Sequence, residues 1–330
     1  MSTAKTAGHL LAGDIGGTKT LLGLFDPAPA RPRPIAVREF PTLEYHDLPS
    51  MIGDFLADPR AAGVPVRSAC FGVAGPVLGD TAVLTNVPWK VEARAVADRF
   101  GIGRVRLLND LASMAYSIPV LQASELHVLQ EGRPQEDGNA ALIAAGTGLG
   151  EALLHRIDGR LVPSASEGGH ADFAARTERE IVLLRALTRR FGRVDVERVV
   201  SGRGLVNIFP VAHDQACRAG IRLDDAEAPA AISNAALERR CPGCVETLDL
   251  FVDAYGAEAG NLALRSVATS GLFVGGGIAP KILPALASGT FVRAFCAKAP
   301  LDGLVARIPV QVILNEEAGL LGAAVFASQL

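Results

Sequence analysis

The stretch Leu11-Ala-Gly-Asp-Ile-Gly-Gly-Thr-Lys-Thr20, running straight into Leu21-Leu-Gly-Leu-Phe25, constrains the fold more than any other part of the chain. An acid, two adjacent glycines and a hydroxyl lie between two hydrophobic runs. The pattern predicts strand, tight turn, strand, with Asp14, Gly16, Gly17 and Thr18 at the tip. Adjacent glycines turn the backbone tightly and bring N–H groups close to a ligand with no Cβ in the way. Successive N–H groups suit phosphate oxygens, and an acid beside them suits Mg²⁺, a hard ion that keeps several waters. The same residues suit an ordinary Gly-Gly hairpin turn, and the segment alone does not separate the two readings.

A second copy shifts the balance. Ala141-Leu-Ile-Ala-Ala-Gly-Thr-Gly-Leu-Gly-Glu-Ala-Leu-Leu154 is again hydrophobic, glycine and threonine, hydrophobic, and Gly275-Gly276-Gly277 close a third apolar run. Three such clusters, each at the end of a predicted strand, suggest loops converging on one nucleotide. Two other phosphate motifs are excluded: the chain has no Gly-Lys dipeptide and hence no Walker A loop, and no G-x-G-x-x-G.

At 330 residues two domains are expected. A net charge of −3 without a long Lys/Arg cluster gives no sign of a nucleic-acid surface. No stretch is apolar enough for a transmembrane helix, and the first residues lack a signal-peptide core, so the cytoplasm is the expected location. Five scattered cysteines fit a reducing compartment. Cys241-Pro-Gly-Cys244 has zinc-like spacing, but a structural zinc needs four ligands and the sequence is read as having no second Cys or His pair nearby; the motif is read as a helix-flanking turn with reduced thiols.

Along the chain, Asp26–Pro34 reads as a proline-rich loop and 47–57 as an amphipathic helix. Segments 66–73 and 81–85 read as strands, with Asn86 and Trp89 beyond as a sugar contact or a structural turn. Arg104–Leu108 is a short strand, and Asn109-Asp110 fall in the strand-to-helix turn where α/β proteins place ligands. A helix is expected from about Glu178 to Gly192, a turn at Ser201–Gly204, an irregular stretch over 215–246, a long helix over 246–264, a strand over 310–314 and a closing helix over 317–328. The order indicates α/β domains with mixed sheets.

Several segments together resemble the bacterial glucokinases of the sugar kinase, actin and heat-shock ATPase superfamily: Gly13–Thr18, Leu108-Asn-Asp-Leu-Ala112, Ala145–Gly150, Glu167-Gly-Gly-His170, Glu197–Leu205 and Gly275–Pro280. They occur in the family's order and cover nearly the whole chain. No Cys-rich motif follows His170, which favours the branch without zinc, whereas Lys19 departs from the Asn common in that branch: it is either a solvent-facing strand residue or a neighbour of the phosphates. The resemblance implies a two-domain ribonuclease H-like (actin-like ATPase) α/β fold with an interdomain cleft, the small domain being 1–120 plus 310–330 and the large one 121–309. It implies ATP at Gly13, Asp14, Ile15, Gly16, Gly17, Thr18, Gly146, Thr147, Gly148 and Gly275, Gly276, Gly277. Mg²⁺ would lie near Asp14, through water. Asn109, Asp110, Glu167, His170 and Glu197 would bind the sugar, with Asp110 as general base, and the protein would be a homodimer.

Phosphorylating a hydroxyl requires a held nucleotide, an in-line hydroxyl and an acceptor for its proton. Asp110 serves as that acceptor or as a helix N-cap; the ordered motifs favour the base. Glu167 and His170 offer hydrogen bonds three residues apart with no bulk between them, which suits neighbouring sugar hydroxyls. The expected activity is ATP-dependent phosphorylation of glucose at C6, with glucose and ATP as partners and neither nucleic acid nor membrane. Another hexose or an N-acetylhexosamine is the alternative acceptor, and a non-catalytic sugar sensor the alternative class, disfavoured because only a few residues precede the first strand.

Overall fold

In the computed structural model, residues 8–84, 87–213 and 215–330 are described; Asn86 and the extreme N-terminus, on which two expectations fell, lie outside them. The chain divides into two compact units, one comprising Met1–Gln122 with Asn315–Leu330 and the other Ala123–Leu314.

The first unit contains strands β1 (His9–Ile15), β2 (Lys19–Asp26), β3 (Arg33–Pro41), β4 (Val66–Val73), the short β5 (Val77–Leu78), β6 (Thr81–Val83) and β7 (Lys90–Glu92), and β8 (Arg104–Asn109). Its helices are α1 (Leu48–Leu56), α2 (Ala93–Phe100) and α3 (Asp110–Ser117). The main sheet has the order β3-β2-β1-β4-β8, with β1, β4 and β8 parallel and the β1–β2–β3 pairs antiparallel. Strand alternation sorts the core. Leu11, Ile15, Leu22, Leu24, Phe71 and Val73 lie in the cluster that includes Met51, Phe55 and Val96 of α1 and α2. Leu10, Ala12, Phe25 and Cys70 face the other way.

The second unit contains β9 (Leu126–Gln130), β10 (Ala140–Ala145), β11 (Leu149–Ile157), β12 (Arg160–Ser166), α4 (Glu178–Phe191), α5 (Gly202–Ala212), α6 (Ala228–Leu237), the 25-residue α7 (Pro242–Ser266), β13 (Gly271–Gly275), short helices α8 (Leu283–Leu286), α9 (Thr290–Cys296) and α10 (Asp302–Val305), and β14 (Val310–Ile313). Its sheet runs β12-β11-β10-β13-β14-β9, with β10, β13 and β14 parallel. Apart from the added β9, this is the plan of the first sheet: an antiparallel hairpin and a third strand on one side, parallel strands on the other. Two such sheets make this the mixed α/β, actin-like ATPase fold.

The closing helix α11 (Ala318–Gln329) returns to the first unit and packs on Leu10, Ala12 and Cys70 through Leu320, Ala323, Ala324 and Ala327. The Ser113 hydroxyl donates to the Gly319 carbonyl at 2.9 Å and Ser68 to Ala327 at 2.8 Å. A Cβ at Gly322 would lie 1.7 Å from the Ser113 carbonyl oxygen. Gly322→Ala must therefore push α11 off α3, and we expect it to lower unfolding free energy by about 1–3 kcal/mol, read as a lower midpoint in urea.

Four readings of the sequence change. Arg33–Pro41, entered through a proline-rich loop, is a strand; as the edge of its sheet it tolerates Pro34 and Pro41. The 215–246 stretch is not irregular throughout, because it holds α6 and the start of α7. Ser201–Gly204 is the capped first turn of α5, with Ser201 Oγ accepting from Gly204 N–H at 3.0 Å. The chain rejoins the first unit at 315 rather than 310, because β14 is hydrogen-bonded to β13 and β9. Among the described residues no helix is long and apolar enough to cross a membrane.

Candidate active site

In the first unit the parallel strands β1, β4 and β8 end on one edge. In register, Asp14 lies beside Gly72, and Gly72 beside Leu108. That edge carries Asp14, the Gly16–Thr18 turn, Asn109 and Asp110, the position where open α/β sheets take ligands. Gly13 and Ile15 belong to the strand itself: Ile15 is fully buried, and a Cβ on Gly13 would strike Phe71 at 2.5 Å, so both present only backbone. The hairpin turn closes through Gly16 N–H to Lys19 O at 3.0 Å. Buried Thr42 braces it from outside: its hydroxyl donates to Gly16 O at 2.9 Å and its N–H to Thr18 O at 3.0 Å. Lys19 is exposed and pairs with Glu39 at 3.1 Å across β2 and β3, which is the solvent-facing alternative for this residue.

Asn109, not Asp110, caps α3. Its Oδ1 accepts from Leu111 N–H at 3.0 Å and Ala112 N–H at 3.4 Å, and its Nδ2 donates to Gly75 O at 3.4 Å. Asp110 is the first helical residue; it is exposed, and its Oδ1 accepts from Leu111 N–H at 2.8 Å. Burial, reinforced by the charge of Asp110 and opposed by Lys19, pushes the Asp14 carboxyl up to about 6. Gly319, in the first turn of α11, approaches so closely that a Cβ there would lie 2.5 Å from Asp14 Oδ2.

The second unit repeats the arrangement with Ala144 and Ala145, not an acid, at the strand end. Gly146, Thr147 and Gly148 form the turn between β10 and β11, closed by Gly146 N–H to Gly148 O at 2.8 Å. Glu197, in the segment between α4 and α5, ties two turns together. Its Oε2 accepts from Leu149 N–H at 2.9 Å, and its own N–H donates to Gly169 O at 2.9 Å. Glu167 and His170 are exposed on the adjoining turn; His170 Nδ1 lies 3.4 Å from Asp195 Oδ2, and Arg193 Nη2 donates to the His170 carbonyl at 2.6 Å. Gly275 ends β13 beside Ala144. Gly276 has φ +83° and comes so near β10 that a Cβ would sit 2.4 Å from Ala145 O.

These glycines separate into two kinds. At Gly148 a Cβ would strike Glu197 Oε2 at 2.5 Å, and at Gly276 it would strike the backbone, so packing explains both. At Gly146 and Gly277 a Cβ would meet nothing within 4 Å. Nothing in the fold requires glycine at those two, and open space beside them leaves room for a ligand to approach the backbone.

Three supporting residues carried no signal in the sequence. Thr42 lies on a 3₁₀ turn. The buried Tyr255 of α7 holds the end of β10, its hydroxyl accepting from Ala145 N–H at 3.2 Å. Glu151, 1 % exposed, sits beneath the Glu167–His170 turn, where Gly168 leaves space for its carboxylate. Burial and Glu258 raise its pKa, Arg265 opposes them, and its Oε1 has no hydrogen-bond partner. Trp89, by contrast, packs against the core of the first unit and donates to Tyr45 O at 2.9 Å. Cys241 and Cys244 are not isolated thiols: His213 and Cys217 lie against them.

The chain is similar to known proteins over its whole length. The family model described as Glucokinase matches residues 11–330. A curated glucokinase from Nostoc punctiforme is 40% identical over 341 residues, covering 97% of this chain and 99% of the relative. The crystal structure of a glucokinase from an Antarctic psychrotroph superposes with a TM-score of 0.86 at 30% identity, covering 98% of this chain and 99% of that one. A ROK family glucokinase from Streptomyces griseus, solved with glucose and AMPPNP, shares the fold at a TM-score of 0.66 and 23% identity over 98% of this chain and 100% of that one. With a full-length family match and a full-length relative at this identity, the chain belongs to the glucokinase family.

Proposed function

We propose that this chain transfers the γ-phosphoryl group of ATP to the C6 hydroxyl of D-glucose. The observation that carries the reading is the pair of acids at the strand ends of the first unit: Asp110 exposed at the start of α3, and part-buried Asp14 beside the Gly16–Thr18 turn. Family membership supports the same reaction, and the glycines that no packing demands support a ligand at the backbone of the second unit.

In this reading Asp110 accepts the proton of the attacking hydroxyl. Its Oδ1 is fixed by Leu111 N–H in the first turn of α3, which holds the carboxylate in place. Glu167, His170 and Glu197 orient the sugar by hydrogen bonds, Glu197 with the oxygen not engaged by Leu149. Asn109 contributes what its capping bonds leave over, so its main work is to hold Asp110 at the first helical position. The Gly16 and Gly146 N–H groups close their own turns, so the N–H groups of Gly17, Thr18, Thr147 and Gly148 receive the phosphates, and Gly275–Gly277 lie against the adenosine.

The acids also suit Mg²⁺. Two carboxylates that repel each other on one strand edge, with one lysine opposing, form a spot that a hard divalent cation relieves. Asp14 would hold the ion through water. When bound, it neutralises charge on the phosphates.

The test is a coupled assay for glucose 6-phosphate, run over a panel of hexoses and N-acetylhexosamines with ATP, ADP and polyphosphate as donors. Glucose with Mg·ATP is expected to give the highest kcat/KM. Absence of turnover on every sugar would remove the kinase reading. The family reading carries a homodimer with it, which light scattering on the eluting peak checks. A cytoplasmic location fits an ATP-dependent reaction and the reduced cysteines.

A further inference from the structure

Four side chains converge at the N-terminal end of α7, none of them among the residues given to sugar or nucleotide above. Cys241 is the N-cap of α7 and Cys244 lies in its first turn; His213 follows the last residue of α5, and Cys217 lies on the connection to α6. Their ligand atoms all lie within 4.8 Å of one another.

The spacings are those of a tetrahedral metal site. Zinc–sulfur bonds of about 2.3 Å and a zinc–nitrogen bond of about 2.0 Å at tetrahedral angles require S···S of about 3.8 Å and S···N of about 3.5 Å. Cys217 Sγ lies 3.7 Å from Cys241 Sγ and 3.8 Å from Cys244 Sγ. His213 Nε2 lies 3.4 Å from Cys241 Sγ and 3.9 Å from Cys244 Sγ.

The surroundings prepare these atoms as ligands. His213 Nδ1 lies 2.8 Å from the Phe209 carbonyl, which can only accept, so Nδ1 carries the hydrogen and Nε2 turns its lone pair to the sulfurs. The ring is seated flat on Phe209, with centroids 3.7 Å apart. Only glycine fits beside it at position 243: a Cβ there would lie 2.5 Å from His213 Nε2. The two cysteines of α7 are buried, while His213 and Cys241 border a surface hollow of about 610 Å³ that gives an ion access.

The geometry points to a structural zinc ion bound by His213, Cys217, Cys241 and Cys244. Three thiols and a neutral imidazole make a soft donor set of four, which selects zinc among the abundant divalent ions and leaves no open position for catalysis. On binding, the thiol protons leave to solvent and the Zn²⁺ with three thiolates carries a net charge of −1. The sequence form is His-x₃-Cys, then Cys-x₂-Cys starting 24 residues beyond Cys217. The ion pins the connection between α5 and α6 to the start of α7, whose Tyr255 supports the β10 turn.

Protein expressed with zinc in the medium and purified without chelator is expected to contain about one zinc per chain by elemental analysis. Cys217→Ser and Cys241→Ser should reduce it to background, and His213→Cys should retain it with four thiolates. Because a serine variant can fail by misfolding, the wild type is also stripped with a chelator and reloaded with Co²⁺. Intense visible d–d bands together with a near-ultraviolet thiolate-to-cobalt band report a tetrahedral sulfur site. The stripped protein should melt at a lower temperature, recover on adding zinc, and be cut faster by protease within 213–227. Zinc at background in the wild type, with the thiols reacting freely, overturns the proposal. So does a Cys217–Cys241 disulfide found by mass spectrometry. Neither result touches the kinase reading, which its own assay decides.

Discussion

Asp110→Asn is expected to lower kcat by about 10²–10⁴ while leaving glucose affinity within a few-fold. The substitution is nearly isosteric. An amide oxygen can still accept from Leu111 N–H, and Asn109 still caps the helix, so α3 should start in the same place. What is lost is a group able to take a proton. Glucose binding, followed by calorimetry, separates the two effects: a loss confined to kcat identifies a group needed after the sugar is seated. Turnover within tenfold of wild type would show that the hydroxyl gives its proton elsewhere. A large rise in Kd with unchanged kcat would make Asp110 a sugar-binding residue only. Asn109→Ala is the informative contrast, since it removes the cap and should reduce both stability and rate.

Asp14→Asn is expected to stabilise the protein while abolishing most of its activity. A carboxyl held near 6 in the folded chain and near 3.8 in the unfolded chain keeps its proton longer when folded. Stability from this group is therefore complete below about pH 4 and is lost as pH rises to about 6. The loss approaches 3 kcal/mol, about 1.4 kcal/mol for each pKa unit. Asparagine carries no charge at any of these pH values and escapes the penalty. Without nucleotide or divalent ions, the variant should melt several degrees above wild type at pH 7.5, and the two curves should meet near pH 4. Equal melting temperatures at pH 7.5 would mean that Asp14 is not strained by its burial and by Asp110. A site that holds two like charges together accepts lower stability for function.

Both hairpins, and the Asn109–Asp110 turn, were legible because strand-forming runs end abruptly in glycine, threonine or acid; local chemistry alone fixes such places. The helix at Glu178–Phe191 was equally plain, with Thr177 and Glu180 forming a capping box at its start. The misses share a different cause. Arg33–Pro41 carries proline at both ends and is a strand only because its sheet offers an edge. Ala228–Leu237 is rich in alanine and has little amphipathic pattern; it is helical because small side chains let it lie close to α5 and α7. Thr42, Glu151 and Tyr255 support turns far away in sequence, so nothing local announces them. The same holds for His213 and Cys217: the Cys-x₂-Cys pair was visible, but its partners lie upstream, beyond a helix that was itself unread. Distinguishing glycines required by packing from glycines left open to a ligand likewise needs the folded neighbours.

The recurrence of one strand order in both sheets has a further consequence. The two copies keep the same hairpin scaffold but differ in charge: where the first ends in Asp14-Ile15 before its glycines, the second ends in Ala144-Ala145. A doubled scaffold can divide its labour. One copy tolerates the electrostatic penalty of an acid at its strand end; the other is uncharged at that position, and the acid beside its turn, Glu197, is held by Leu149 N–H. Exchanging those two dipeptides between the copies would leave each hairpin with a plausible local sequence, yet it would place the acid on the half that has neither the Asn109 cap nor the Asp110 partner.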